Sequence, residues 1–142
     1  MFQRLTQITT NSMKQTVFEI VTNRPLTASV YEMTLKGDTT AITQPGQFVE
    51  LSLDGYFLRR PISVCNYDQG TLTLIYKVVG KGTEQMRDMT EGTLDILSSL
   101  GNGYDTAKSG DRPLLLGGGV GVPPMYLLAK ELIAQGKRVR VI

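Results

Sequence analysis

Apolar and polar residues alternate in short runs along the chain as far as Leu97, and glycine, proline, asparagine and aspartate separate the runs. Val49, Leu51 and Leu53 oppose Glu50 and Ser52, while Leu72, Leu74, Tyr76 and Val78 share one face of a later run. A period of two marks a strand that buries one face. The pattern predicts six strands, over 17–21, 29–35, 48–53, 58–63, 71–79 and 93–97, with Tyr31, Met33 and Leu35 on one face of the second. Asn23-Arg24-Pro25, Gly37-Asp38, Pro45-Gly46, Asp54-Gly55 and Asp68-Gln69-Gly70 have the chemistry of turns. Short strands at this spacing argue for an antiparallel barrel or sandwich. A barrel is expected, because closure removes the edges that an isolated sheet of this size would expose.

One helix interrupts the meander. Gly80-Lys81-Gly82-Thr83 precedes a helical stretch over 84–89, with Thr83 as its expected N-cap. After Asp111 the period changes. Pro113-Leu114-Leu115-Leu116 is wholly apolar, as in a strand buried on both faces of a parallel sheet. It runs into Gly117-Gly118-Gly119-Val120-Gly121-Val122-Pro123-Pro124. A helix follows over 125–135, with Met125, Leu128, Ala129 and Leu132 on one stripe; Gly136 stops it, and 138–142 begins another strand. The expected class is therefore β plus α/β. An antiparallel six-stranded barrel domain over 1–110 leads into the first β-α-β unit of a nucleotide-binding domain over 111–142. The second strand has only just formed where the chain stops, so a fragment of a longer protein is expected. Its last strand leaves an edge through which a homodimer could pair.

Composition narrows the chemistry. There is no histidine, which excludes a catalytic triad and an imidazole acid or base, and a single cysteine, Cys65, which excludes an internal disulfide. No metal site and no catalytic side chain is expected; a bound cofactor should carry any reaction. A net charge of +2 does not argue for nucleic acid or an anionic membrane surface. No apolar run approaches the roughly 20 residues of a membrane helix. Segment 1–16 is polar and lacks the core of a signal peptide, so a cytoplasmic protein is expected.

Two segments suggest an anionic ligand. In Leu58-Arg59-Arg60-Pro61-Ile62-Ser63, Arg60 and Ile62 share one face while Pro61 and Ser63 share the other. Pro61 cannot donate to a ladder, so the strand must be an edge, end abruptly, or open toward something other than a strand. A guanidinium offers a planar fork of donors to phosphate; the plain alternative is a basic, blunted edge. Gly82-Thr83 at a helix start adds amides and dipole stabilisation of about 0.3–1 kcal/mol for an anion. Tyr76 reads first as a core tyrosine and second as a stacking partner for an aromatic ring; Lys77 is equally a solvated charge or a ligand contact. In the second segment, Gly119, Gly121 and Pro124 form G-x-G-x-x-P. Its glycines admit a pyrophosphate, and proline gives up an amide that has no intrahelical partner. The alternative there is a tight structural turn.

Together these residues resemble the ferredoxin reductase family of flavoproteins, which pairs an FAD-binding barrel with a nicotinamide-nucleotide domain. Arg60-Pro61-Ile62-Ser63 matches the family's R-x-Y-S/T motif, except that Ile62 replaces the aromatic. Gly119, Gly121 and Pro124 match its nucleotide motif. Pro45-Gly46-Gln47-Phe48, Leu58 to Ser63, Gly82-Thr83, Leu100-Gly101-Asn102-Gly103 and the stretch 115–132 resemble, in order, the branch that serves heteromeric NAD-dependent dihydroorotate dehydrogenases. Ser98-Ser99 departs from the Gly-Pro usual there, which implies an altered turn.

The resemblance implies that Arg60, Pro61, Ile62, Ser63, Ile75, Tyr76, Lys77, Gly82 and Thr83 line FAD, with Ser63 near flavin N5. It implies that NADH gives a hydride to the flavin, and that electrons pass through a [2Fe–2S] centre to an FMN-containing dihydroorotate dehydrogenase catalytic subunit in pyrimidine biosynthesis. The cysteines of that centre belong to a C-terminal region beyond Ile142. NAD binding is expected to be weak or absent with half a nucleotide domain. Electron-transfer subunits of hydrogenase, sulfide dehydrogenase and ferredoxin:NADP oxidoreductase share these motifs, and an inactive flavin-binding or empty barrel is a further alternative.

Overall fold

A computed structural model describes residues 12–142; of the polar segment 1–16, positions 1–11 lie outside the described residues. The barrel strands are β1 (Lys14–Pro25), β2 (Val30–Lys36), β3 (Phe48–Leu51), β4 (Arg60–Asp68), β5 (Thr71–Lys77) and β6 (Thr93–Leu100). They close in the order β1-β2-β5-β4-β3-β6, every pair antiparallel. α1 (Lys81–Asp88) joins β5 to β6. Beyond the barrel, β7 (Leu114–Leu115) and β8 (Arg140–Val141) form a parallel pair connected by α2 (Pro123–Ala134).

The alternating apolar positions fill the barrel. Phe18, Met33, Leu35, Val49, Leu51, Val64, Leu72, Leu74 and Ile96 are wholly buried, and Met86 of α1 joins the same core. Burying each such side chain contributes about 1.5–3 kcal/mol. The strands that outrun the sequence pattern do so through bulges. β1 pairs with β6 over its first half and with β2 over its second, with a register shift between Ile20 and Thr22. The bulge bends the strand around the barrel and breaks the period of two, so the pattern read as a strand ends near Val21. β6 is extended beyond Leu97 by a second shift opposite Phe48 and Glu50. There Ser98 is buried and donates to the Lys14 carbonyl at 3.2 Å, and Ser99 adopts φ 63°; the pair lies within β6 rather than in a turn.

The α/β part differs from expectation at β7. Only Leu115 is buried; Leu114 and Leu116 are 54% and 68% exposed. An apolar run signals two covered faces, but α2 covers one face of this two-stranded sheet and no described element covers the other. Met125, Leu128 and Leu132 pack with Leu115, Ala129 and Val139 as predicted, while Leu127 turns the other way and joins the barrel core. α2 is thereby seated against β4. No helix among the described residues is long and apolar enough to cross a membrane.

Candidate functional site

The site begins where two strands part. β3 pairs with β4 from Arg60 to Ser63, but β5 pairs with β4 only from Val64 onward. Pro61 lacks the amide that a ladder on the β5 side would need, and the strands diverge there. The result is a cleft of about 350 Å³. Pro61 and Ser63 form one wall, and Ile75 and Lys77, on the outward face of β5, form the other. Ile62 points the opposite way and packs against the barrel core. Arg60, Tyr76, Val79, Thr83 and Val120 complete the lining, and Ile62 borders it from β4. A second cavity of about 220 Å³ shares Arg60, Val79 and Thr83 with the first and extends to Tyr56, Lys81 and Gly82.

Arg60 stands at the junction. Its Nη1 donates to the Leu58 carbonyl at 2.5 Å, and its guanidinium carbon lies 4.5 Å from the centre of the Tyr56 ring. This is cation–π distance. Arg60 forms no ion pair with a carboxylate among the described residues. Arg59 is used quite differently. Its Nη1 is 2.8 Å from Asp95 Oδ1 and donates to the Asp95 carbonyl at 3.1 Å, tying the start of β4 to β6. Bonds from Gln15 and from Arg59 hold the Asp95 carboxyl below its usual range.

The cap of α1 differs from expectation. Gly80 is the N-cap and Thr83 the third helical residue, so the helix starts at Lys81. The Thr83 hydroxyl accepts from the amides of Val79 at 2.8 Å and Gly80 at 3.1 Å, and donates to the Gly80 carbonyl at 2.9 Å. Sequence position alone did not distinguish the two roles, since a threonine can cap from either end of a capping box. Glu84 closes the first helical bond to Gly80 at 2.9 Å. The amides of Lys81, Gly82 and Thr83 therefore precede the helical ladder and are free of it, beside Arg60.

Tyr76 is a core residue. The residue is 2% exposed, its ring stacks on Tyr31 with centroids 6.0 Å apart, and its hydroxyl donates to Asn23 Oδ1 at 3.0 Å. Burial pushes the phenol up to about 12. Its packing is that of a core residue, and it also borders the cleft. Lys77 is exposed beside the cleft.

Gly119–Gly121 forms a single 3-10 turn, with Gly119 at φ 56°, and Pro123 and Pro124 open α2. Gly117 is the glycine the loop most needs for space: a Cβ there would lie 3.0 Å from the Gly121 carbonyl oxygen. The turn brings Val120 onto the barrel cleft, so the two sequence motifs meet. Tyr56, Val79 and Val120 carried no signal of their own in the sequence; only the fold assembles them here. A larger cavity of about 660 Å³ lies between the Gly37–Ile42 loop and α2, but neither Arg60 nor the glycine loop borders it.

No family model matches the chain. Solved structures share its fold. The NADH-dependent reduced ferredoxin-NADP oxidoreductase superposes with a TM-score of 0.79 at 29% identity, covering 87% of this chain and 46% of that one. A ferredoxin NADP+ reductase from Neisseria gonorrhoeae, solved with bound FAD and NADP, has a TM-score of 0.76 at 18% identity over 90% of this chain and 56% of its own. The fold is that of the ferredoxin reductase-type flavoproteins. Within that class the chain is a homologue of the electron transfer subunits of dihydroorotate dehydrogenase B (NAD(+)). It is 42% identical to the subunit of Listeria monocytogenes over 137 residues, 92% of this chain and 54% of that protein. It is also 42% identical to that of Geobacillus sp. over 133 residues, 87% of this chain and 52% of its relative. The chain spans about half the length of these curated relatives.

Proposed function

We propose that this chain is the FAD-binding part of an electron-transfer subunit that carries electrons between NADH and a dihydroorotate dehydrogenase partner. The observation that supports it most is the Arg60 junction. An arginine with no carboxylate partner among the described residues lies against the first amides of a helix, between an apolar cleft and a second cavity. A dinucleotide has this order of parts: an aromatic ring system, a pyrophosphate and a nucleoside.

The residues present fit FAD. Pro61, Ile75 and Val120 offer apolar contact to a flat ring, and the exposed Ser63 offers a small hydroxyl at its edge. Arg60 and the amides of Lys81, Gly82 and Thr83 would hold the pyrophosphate. The Thr83 hydroxyl is committed to the backbone, so its contribution is the amide. Bound flavin would supply hydride acceptance and one-electron release; the chain's own groups bind, orient and exclude water. On this reading Gly119, Gly121 and Pro124, at the start of α2, would receive a nicotinamide nucleotide. The domain division at 110/111, the cytoplasmic setting, an FMN-containing partner and a [2Fe–2S] centre in the whole subunit belong to the same reading.

The likeness to the ferredoxin-NADP oxidoreductase favours one rival: the same cofactors serving a different partner. Co-purification of the whole subunit with a dihydroorotate-oxidising chain supports the first reading, and co-purification with another electron-transfer chain the second. The FAD site itself is tested by the visible spectrum of the purified chain, before and after anaerobic NADH. A flavin spectrum is expected. A colourless protein that takes up no added FAD would overturn the assignment.

A further inference from the structure

We infer that Asn23, on β1, is a positioning residue for the dinucleotide site, acting through the far end of α1. The inference rests on the reading of the Arg60 cleft as an FAD site. β1 and β4 are separated by β2 and β5 in the barrel, so Asn23 lies well away from Arg60 in strand order. Its amide nitrogen nevertheless donates to the carbonyls of Met86 at 2.7 Å, Met89 at 2.9 Å and Arg87 at 3.2 Å. These carbonyls belong to the last turn of α1 and the residue after it, where the helical ladder runs out of donors; the Met86 carbonyl also accepts from the Met89 amide at 3.1 Å. The side-chain oxygen of Asn23 accepts from the buried Tyr76 hydroxyl at 3.0 Å.

Every polar atom of this arrangement has one workable sense. Turning the amide over would set its oxygen against three helix carbonyls, acceptor against acceptor; the observed sense pairs donors with acceptors throughout. Tyr76 is fixed by burial and by its stack on Tyr31, so the chain Tyr31–Tyr76–Asn23 transfers the rigidity of the core to the C-terminal end of α1.

α1 needs this. Eight residues make just over two turns, too few for a helix to persist alone. Four contacts place it: the Thr83 hydroxyl at its start, the Met86 side chain in the barrel core, the exposed Gln85 amide donating to the Asp54 carbonyl at 3.3 Å, and Asn23 at its end. Its start carries Gly82, in contact with the Arg60 guanidinium, so a small slide or tilt of the helix changes the spacing between the amides and Arg60. Asn23 thus sets the geometry of an anion cradle that it does not touch.

The test is a double-mutant cycle on FAD affinity, read by quenching of flavin fluorescence, with thermal unfolding in parallel. Asn23→Ala is expected to weaken FAD binding about tenfold when Arg60 is intact, and by less than about twofold when Arg60→Lys has already loosened the cradle. Asn23→Asp keeps the size of the side chain but sets a carboxylate against carbonyls at the negative end of the helix dipole, so it should bind FAD more weakly than the alanine variant. Tyr76→Phe, which retains the ring and frees the amide, gives a smaller loss and serves if the Asn23 variants do not fold. An equal loss with and without the Arg60→Lys change, or no loss in either case, overturns the inference while leaving the FAD site intact. Failure of the unmodified chain to take up FAD overturns the FAD reading itself, and the inference with it.

Discussion

Gly82 and Arg60 occupy one space: a Cβ on Gly82 would lie 2.9 Å from the guanidinium carbon of Arg60. The absent side chain lets a charged fork settle against the first turn of a helix. A helix start repels a cation, so the pairing is useful only when an anion lies between or beside them.

Gly82→Ala should therefore separate stability from binding. Alanine favours the helix by up to about 1 kcal/mol, and the group it displaces is the mobile end of a long side chain. The melting temperature should hold or rise slightly while FAD affinity falls at least about tenfold through displacement of Arg60. Calorimetry of folding and a flavin titration on the same preparation measure both, and undiminished affinity would count against the cradle.

The two adjacent arginines should give opposite phenotypes. Arg60→Ala should lose flavin and fold normally. Arg59→Ala should keep its flavin and lose about 1 kcal/mol, a value kept low because Asp95 is 37% exposed in its pair with Arg59. Absorbance ratios of the purified variants, with their melting curves, decide it; equal flavin contents would remove Arg60 from the site.

Ser99 is the one non-glycine residue at positive φ among the described residues, and its buried hydroxyl has no hydrogen-bond partner. Ser99→Gly should relieve about 1 kcal/mol of backbone strain and remove the unsatisfied group. Glycine's greater freedom when unfolded returns part of this. A net rise of a few degrees in melting temperature is expected, with flavin content unchanged.

Cys65 is buried on β4, and burial, then Glu32, raises its thiol from the ordinary 9 to about 11. At pH 8 its thiolate is about 100-fold scarcer than that of a free cysteine, so iodoacetamide should label the native chain far more slowly than the unfolded one. In the window between 9 and about 11 the unfolded chain has released the proton and the folded chain has not. This group's contribution to stability is therefore complete below pH 9 and declines as the pH rises through that window. Urea midpoints from about pH 8 to about pH 11 should fall, and less steeply in Cys65→Ala.

The barrel was legible because its strands repeat with period two, and burial of one face of each strand allows few other arrangements. Phe18, Met33, Leu35, Val49, Leu51, Leu72 and Leu74 all face inward as their alternation implies. The bulges at Ile20–Thr22 and beyond Leu97 were not legible, because an extra residue breaks the period that defines a strand. Leu114 and Leu116 misled for another reason: an apolar run records what a residue is suited to touch, not what touches it.

The same division holds at the candidate site. The sequence by itself determined that a proline and an arginine open a strand, that glycines precede a helix, and that G-x-G-x-x-P begins another, since each depends on covalent features of neighbouring residues. Only the tertiary structure decided that Gly80 rather than Thr83 caps α1, that Tyr76 turns into the core, that Val120 reaches the barrel cleft and that Arg59 and Arg60 part company. Those outcomes depend on which groups compete for the same space and the same hydrogen bonds, and the competitors come from strands far apart in the chain.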